Sequence, residues 1–205
     1  MIKSRFGSEL DGWVHALFPF LFRRSLNPNA LTAWGAGVSM AAAIALGSGH
    51  LVIGGVLVLA GGFFDLVDGV VARHTGSASS FGAFFDSTMD RLVDMVLLLG
   101  VMVYLAGRGD ILGVVLAGTA MIGGVLTSYI KARAESFLPS LEGGFFERAE
   151  RVLVLALGVL TGWLGVALWI LALGSVYTAV VRFVAARRAL EREGPASLGP
   201  AGEEG

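Results

Sequence analysis

The sequence predicts an all-α integral-membrane fold, with six transmembrane helices preceded by an amphipathic helix at the membrane interface. Three observations predict it. Of the 205 residues, 55% are hydrophobic and only 15% are charged, with a mean hydropathy of +0.76; soluble domains run nearer a quarter charged. Apolar runs recur at the length a spanning helix needs, about 20 residues. These runs lack the period-two alternation of membrane strands and are too long for them.

Each element follows from its own residues. Within 8–24, Trp13, Leu17, Phe20 and Leu21 recur at helical spacing and Arg23 and Arg24 close the run. That pattern fits a helix lying in the interface plane, broken or kinked at Pro19. Asn27-Pro28 reads as an N-cap followed by proline in the first turn, which starts the first span. The spans are expected at 30–50, 51–73, 82–106, 111–134, 145–162 and 166–187. The fifth is the most polar at its start, where Glu147 to Arg151 occupy the first turn. Short connections make neighbouring helices antiparallel. The organisation expected is a juxtamembrane segment over 1–29, a six-helix membrane domain over 30–188, and a Gly-, Pro- and Glu-rich disordered tail over 189–205.

Six spans put 14 of the 15 Lys and Arg residues on one side, leaving only Arg108 in an opposite loop. The positive-inside rule makes the basic side cytoplasmic, so both termini and the site below are expected there, in a plasma or inner membrane. The N-terminus lacks the apolar core of a signal peptide. A net charge of −1 gives no footprint for nucleic acid. With no cysteine in the chain, disulfides, thiolate metal sites and cysteine nucleophiles are excluded.

The chemistry is concentrated between Phe63 and Asp94. Asp65 and Asp68 are three apart near the end of the second span, and Asp86, Asp90 and Asp94 are spaced by four near the start of the third. Residues three or four apart share a helix face. A short loop joins the two helices, so the two acidic faces can meet. Carboxylates crowded in a low-dielectric setting must bind protons or cations. All-oxygen ligands favour Mg²⁺, Mn²⁺ or Ca²⁺, and four carboxylates can hold two such ions, a pairing suited to phosphoryl chemistry. Gly69, Ala72 and Gly82 leave room for a ligand near the backbone, and Arg73 is placed to reach a phosphate or nucleotide. Aspartates serving only to glue helices to Arg73 and Arg91 would be the bland alternative, but five acids against two arginines leave a surplus, and intramembrane ionisable residues are functional by default.

A second constellation spans Ser128 to Glu135 and Phe146 to Arg151. Ser128, Lys131 and Glu135 lie along one face, Arg133 points elsewhere, and Arg148 and Arg151 share a face. A serine, a lysine and arginines converging beside the aspartates suit a phosphate monoester. Ordinary positive-inside anchoring accounts for any single arginine here, though less well for a lysine within an apolar helix one turn after Ser128.

The pattern Asp65-x2-Asp68-Gly69-x2-Ala72-Arg73-x8-Gly82-x3-Asp86-x3-Asp90 resembles the signature of the CDP-alcohol phosphotransferases at all eight fixed positions. The resemblance implies a metal-dependent transferase with two Mg²⁺ ions, Mn²⁺ being a possible substitute. Asp65, Asp68, Asp86 and Asp90 would ligate the metals, and Asp90 would also be the general base on the acceptor hydroxyl. Gly69, Arg73 and Ser79 would contact the cytidine diphosphate, with Pro28, Asn29, Ala30 and Leu31 bordering that pocket. The run Asp86-Ser87-Thr88-Met89-Asp90-Arg91 looks like the inositol-phosphate-using branch, the phosphatidylinositol-phosphate synthases. In that branch Ser128, Lys131 and Arg151 would hold the acceptor phosphate, joined by Arg148, Arg133 and one of Arg182, Arg187 and Arg188. The implied substrates are CDP-diacylglycerol and inositol phosphate, and a homodimer is implied too. Glycerol 3-phosphate as acceptor and an archaeal-type ether lipid as donor are the nearest alternatives. A cation transporter or a membrane prenyltransferase could also use intramembrane aspartates, but neither needs this glycine, alanine and arginine spacing.

Overall fold

The computed structural model describes residues 27–74, 79–141 and 146–193. The amphipathic helix expected over 8–24 lies outside these residues. Among them there are six helices and no strand: α1 (Pro28–Gly47), α2 (Leu51–His74), α3 (Ser80–Gly107), α4 (Ile111–Ala134), α5 (Arg148–Thr161) and α6 (Leu164–Glu193).

The helix ends follow local chemistry. Asn27 caps α1, its side chain accepting from the Asn29 amide at 3.0 Å, with Pro28 in the first turn. Ser79 caps α3 by accepting from the Gly82 amide at 3.0 Å, and Asp110 caps α4 by accepting from the Gly113 amide at 2.9 Å. Helix α5 stops at Gly162, whose φ of 79° is open to glycine at little cost. Helix α6 runs on to Glu193, into the segment set apart by composition as a tail.

Among the described residues, four segments are long and apolar enough to cross a membrane: Pro28–Gly47, Leu51–Val71, Ile111–Ala134 and Leu164–Arg192. The other two helices differ for identifiable reasons. Helix α3 carries Asp86, Asp90, Arg91 and Asp94 within its first 15 of 28 residues. Helix α5 has 14 residues, about 21 Å of helix against a hydrocarbon core of about 30 Å.

The distribution of side chains matches an apolar solvent. Trp34, Ile44, Leu112, Leu173 and Phe183 are exposed, whereas Ser39, Thr127, Ser175 and Thr178 are buried. In lipid, outward apolar residues cost nothing, and helix association rests on small residues and internal polar contacts. Helix α1 packs on α2 and α3, α3 on α4, α4 on α6, α2 on α5, and α5 on α6. A Cβ at Gly61 would run into Ser39 of α1, and a Cβ at Gly100 would run into the Ala43 carbonyl. These two glycines let α2 and α3 approach the α1 backbone, and the α1–α2 approach carries Thr32 to Asp68. The main apolar core lies deeper, around Leu46, Val58, Leu97, Val101, Leu168 and Leu171.

Candidate active site

The helical phase of α2 and α3 turns their acidic faces together. Asp65, Asp68 and Asp86 each offer a carboxylate oxygen, and these atoms lie within 4.8 Å of one another. Asp68 is 5% exposed. Its Oδ2 accepts a hydrogen bond of 2.5 Å from the Thr32 hydroxyl, which also lies 3.1 Å from the Pro28 carbonyl oxygen. Three buried or half-buried carboxylates converging without a cation between them would repel strongly. The donor set is entirely oxygen, and it fits a hard divalent cation. Thr32 orients one of the candidate ligands from behind, as outer partners of metal ligands do.

Asp90 lies beside this trio, on the next turn of α3 from Asp86, and meets the first residue of α5. One Arg148 guanidinium nitrogen, Nη1, is 2.5 Å from Asp65 Oδ2 and 3.0 Å from Asp90 Oδ1. Its Nε is 3.4 Å from Asp94 Oδ1. Arg151, one turn further along α5, pairs with Asp94 Oδ2 at 2.7 Å and donates to the Phe146 carbonyl at 3.3 Å. It packs against Gly124 of α4, where a Cβ would stand in van der Waals contact, 3.4 Å from Arg151 Nε.

A cavity of about 440 Å³ opens next to Asp90. Ser128 and Lys131 of α4, Arg148 and Arg151 of α5, and Arg182 of α6 line it, together with Asp65, Asp90 and Asp94. Lys131 also lies 3.8 Å from Glu135. Arg182 is buried, donates to the Thr127 carbonyl at 3.1 Å and pairs with Glu147 at 3.5 Å.

The structure therefore brings together Asp65, Asp68, Asp86 and Asp90 on one side, and Ser128, Lys131, Arg148 and Arg151 on the other. Arg133 stands apart: it is not among the cavity's lining residues, and its guanidinium lies 4.7 Å from the centre of the Phe137 ring. It comes two positions after Lys131 and so lies about 200° further round the helix, as its spacing indicated. Of the three α6 arginines expected as candidates from sequence, Arg182 reaches the cavity, whereas Arg187 is exposed and pairs with Glu191 at 2.7 Å. Pro28, Asn29, Ala30 and Leu31 form the first turn of α1. Gly82 faces that turn, because a Cβ on it would sit 3.1 Å from Asn29 Oδ1. Gly69 is half-buried on α2 next to Asp68, Arg73 lies in the last turn of the same helix, and Ser79 caps α3. The first turn of α1 thus borders the start of α3, where the nucleotide-contacting residues were expected.

Two participants were not named from sequence. Thr32 is 36 positions from Asp68, and no local spacing links them. Asp94 was counted among the acids but given no role; its spacing of four from Asp90 already placed it on the same face. A signal for Arg182 did exist: Ser175, Thr178 and Arg182 form a polar stripe at helical spacing on an otherwise apolar helix.

Comparison with known proteins agrees with this geometry. Residues 25–180 match the family model for CDP-alcohol phosphatidyltransferase. The phosphatidylinositol phosphate synthase of Corynebacterium glutamicum is 36% identical over 182 residues, 84% of this chain and 83% of that one. The archaetidylinositol phosphate synthase of Methanothermobacter thermautotrophicus is 37% identical over 146 residues, covering 71% and 72%. A crystal structure of Mycobacterium tuberculosis phosphatidylinositol phosphate synthase with CDP-DAG bound superposes with a TM-score of 0.78 at 30% identity, covering 92% of this chain and 98% of that one. A second structure of that enzyme, in complex with manganese and citrate, gives a TM-score of 0.76 at 30% identity, covering 92% and 93%. With the eight signature residues in place and the match running over most of its length, the chain belongs to the CDP-alcohol phosphatidyltransferase family.

Proposed function

We propose that this protein transfers a phosphatidyl group from CDP-diacylglycerol to inositol phosphate, releasing CMP. The observation that carries the proposal is the adjacency of two chemically different sites. The aspartate cluster opens directly onto a cavity whose Ser128, Lys131, Arg151 and Arg182 suit a phosphate monoester. A phosphorylated alcohol can make charge-assisted hydrogen bonds to these side chains that an unphosphorylated one cannot.

Asp65, Asp68, Asp86 and Asp90 would hold two divalent ions, Mg²⁺ or Mn²⁺; the related enzyme with manganese supports a divalent cation. When bound, such ions neutralise the diphosphate and stabilise the leaving group. The chain's own residues perform the remaining steps. Gly69, Arg73 and Ser79, with Pro28, Asn29, Ala30 and Leu31 alongside, seat the cytidine diphosphate. Ser128, Lys131 and Arg151 fix the acceptor phosphate, so that an acceptor hydroxyl is presented to Asp90. Asp90 takes the hydroxyl proton as the oxygen attacks the lipid-proximal phosphorus. The new P–O bond forms, the P–O bond to CMP breaks, and CMP departs with that electron pair. Fixing both partners in this way replaces a bimolecular encounter with an oriented one.

The wider reading is a six-span protein in a plasma or inner membrane, with the basic and aspartate-bearing ends cytoplasmic. Its supports are the basic-residue asymmetry and the placement of all the catalytic candidates at one end of the bundle. The segment 30–188 is the catalytic unit, and a homodimer is proposed from family resemblance.

The acceptor assay tests the function. Purified protein supplied with CDP-diacylglycerol and Mg²⁺ is offered labelled inositol phosphate, glycerol 3-phosphate and free inositol together. Label should enter lipid from inositol phosphate. Incorporation of glycerol 3-phosphate alone would reassign the protein as a phosphatidylglycerophosphate synthase. The archaetidylinositol phosphate synthase relative makes the donor a separate question, so the same assay is run with a CDP-activated ether lipid.

A further inference from the structure

Arg148 and Arg151 lie one turn apart on α5, yet their surroundings differ. Arg151 is anchored by Asp94 and the Phe146 carbonyl, and touches neither Asp65 nor Asp90. Arg148 Nη1 bridges Asp65 and Asp90, two of the four signature carboxylates. It thus takes the place of positive charge that those carboxylates need from a cation. Its accommodation is incomplete, for Nε is buried, makes no hydrogen bond, and only lies near Asp94 at 3.4 Å. A buried guanidinium N–H left in that state is costly, which fits a side chain with a second resting place.

The cavity supplies one. Arg148 lines it along with Ser128, Lys131, Arg151 and Arg182. Five acidic and five basic side chains border that cavity, so its charge is balanced as it stands. A phosphate monoester entering a balanced cavity would meet as much repulsion as attraction. Cation loading on Asp65 and Asp90 would cancel two of the acids and free one guanidinium at once.

We propose that Arg148 is a positioning residue that couples the two sites: its guanidinium holds Asp65 and Asp90 until a divalent cation takes them, then turns into the acceptor cavity to meet the phosphate. This rests on the metal and acceptor assignments proposed above. Cation and phosphate then bind cooperatively, and by linkage each strengthens the other by the same factor. The consequence for the reaction is order: the phosphorylated acceptor is held firmly only once the aspartates are loaded. Asp90 is likewise released from its ion pair only in the loaded state.

The test measures binding without turnover. Mn²⁺ binding to detergent-purified protein is followed by electron paramagnetic resonance, with and without inorganic phosphate, in the absence of any CDP-lipid. Phosphate should tighten Mn²⁺ binding several-fold in the wild type. Arg148→Gln, lacking the competing cation, should bind Mn²⁺ several-fold more tightly without phosphate and lose most of the phosphate effect. Arg151→Gln should weaken phosphate binding while leaving phosphate-free Mn²⁺ affinity at the wild-type value. Wild-type or weaker Mn²⁺ affinity in Arg148→Gln overturns the coupling role, and so does an absence of coupling in the wild type, a measurement that needs no variant to fold. If the wild type binds no Mn²⁺, or Asp68→Ala binds it unchanged, the metal assignment itself fails and the coupling role with it. Unaltered Mn²⁺ binding in Arg148→Gln alone leaves the metal assignment standing.

Discussion

At the scale of single residues, Asp68 and Asp90 have different surroundings and should fail differently. Asp68 is buried, oriented by Thr32 and flanked by Asp65 and Asp86. Asp90 borders the cavity. Replacing Asp90 with Asn keeps the shape but removes the proton acceptor. We expect Asp90→Asn to retain CDP-lipid binding while turnover falls by roughly 10²–10⁴-fold, the usual range for loss of a general base. Equilibrium binding of CDP-lipid alongside steady-state rates checks this, and normal turnover would remove Asp90 as the base. Thr32→Val deletes the hydroxyl that orients Asp68 without changing side-chain volume much. Metal affinity should fall by roughly tenfold, in line with other second-layer substitutions, and Mn²⁺ titration reads it directly. The residue motif was legible in sequence because its aspartates are spaced within two helices. Thr32 was not, because its contact crosses from one helix to another.

At the scale of elements, the site depends on how closely helices approach. A Cβ at Gly100 would collide with the Ala43 carbonyl, and backbone cannot swing aside as a side-chain tip can. Gly100→Val should therefore push α3 away from α1 and cost about 1–3 kcal/mol, the usual range for overpacking. Gly37, also helical and on α1, has nothing within 4 Å of a built Cβ. There Ala should be tolerated and gain up to about 1 kcal/mol from helix propensity. Thermal unfolding of both variants in one detergent separates close packing from intrinsic propensity; a drop in Tm for both would discount the contact argument. Element boundaries were readable where capping chemistry is strong, as at Asn27-Pro28, whereas the cap at Ser79 went unread and the third span was set to start at 82. The start of α5 was set at 145 from composition, and the helix begins at Arg148. Apolar content measures solubility in lipid, whereas a helix starts where backbone groups find caps.

For the whole molecule, the question is how the bundle sits in a membrane. The absence of cysteine makes single-cysteine labelling clean. Arg108→Cys, in the α3–α4 turn, and Trp163→Cys, in the exposed α5–α6 turn, should react with a membrane-impermeant maleimide on intact cells. Ser140→Cys, beyond the end of α4, should react only after permeabilisation. Labelling of Trp163→Cys from the same side as Ser140→Cys would show that α5, at 14 residues, fails to cross.

The amino-acid sequence by itself determined the helical class and the spacing that lines the aspartates along two helix faces. Those properties depend on composition, on 3.6-residue periodicity and on spacing within a helix, all of which are local. Tertiary structure alone decided that Thr32 backs Asp68, that Arg182 rather than Arg187 reaches the cavity, and that Arg148 bridges Asp65 and Asp90 while Arg151 turns to Asp94. Each of these is a contact between helices. Its existence is set by crossing distance and rotation about the helix axis, which depend on small residues such as Gly61 and Gly100 acting across a gap that no sequence spacing records.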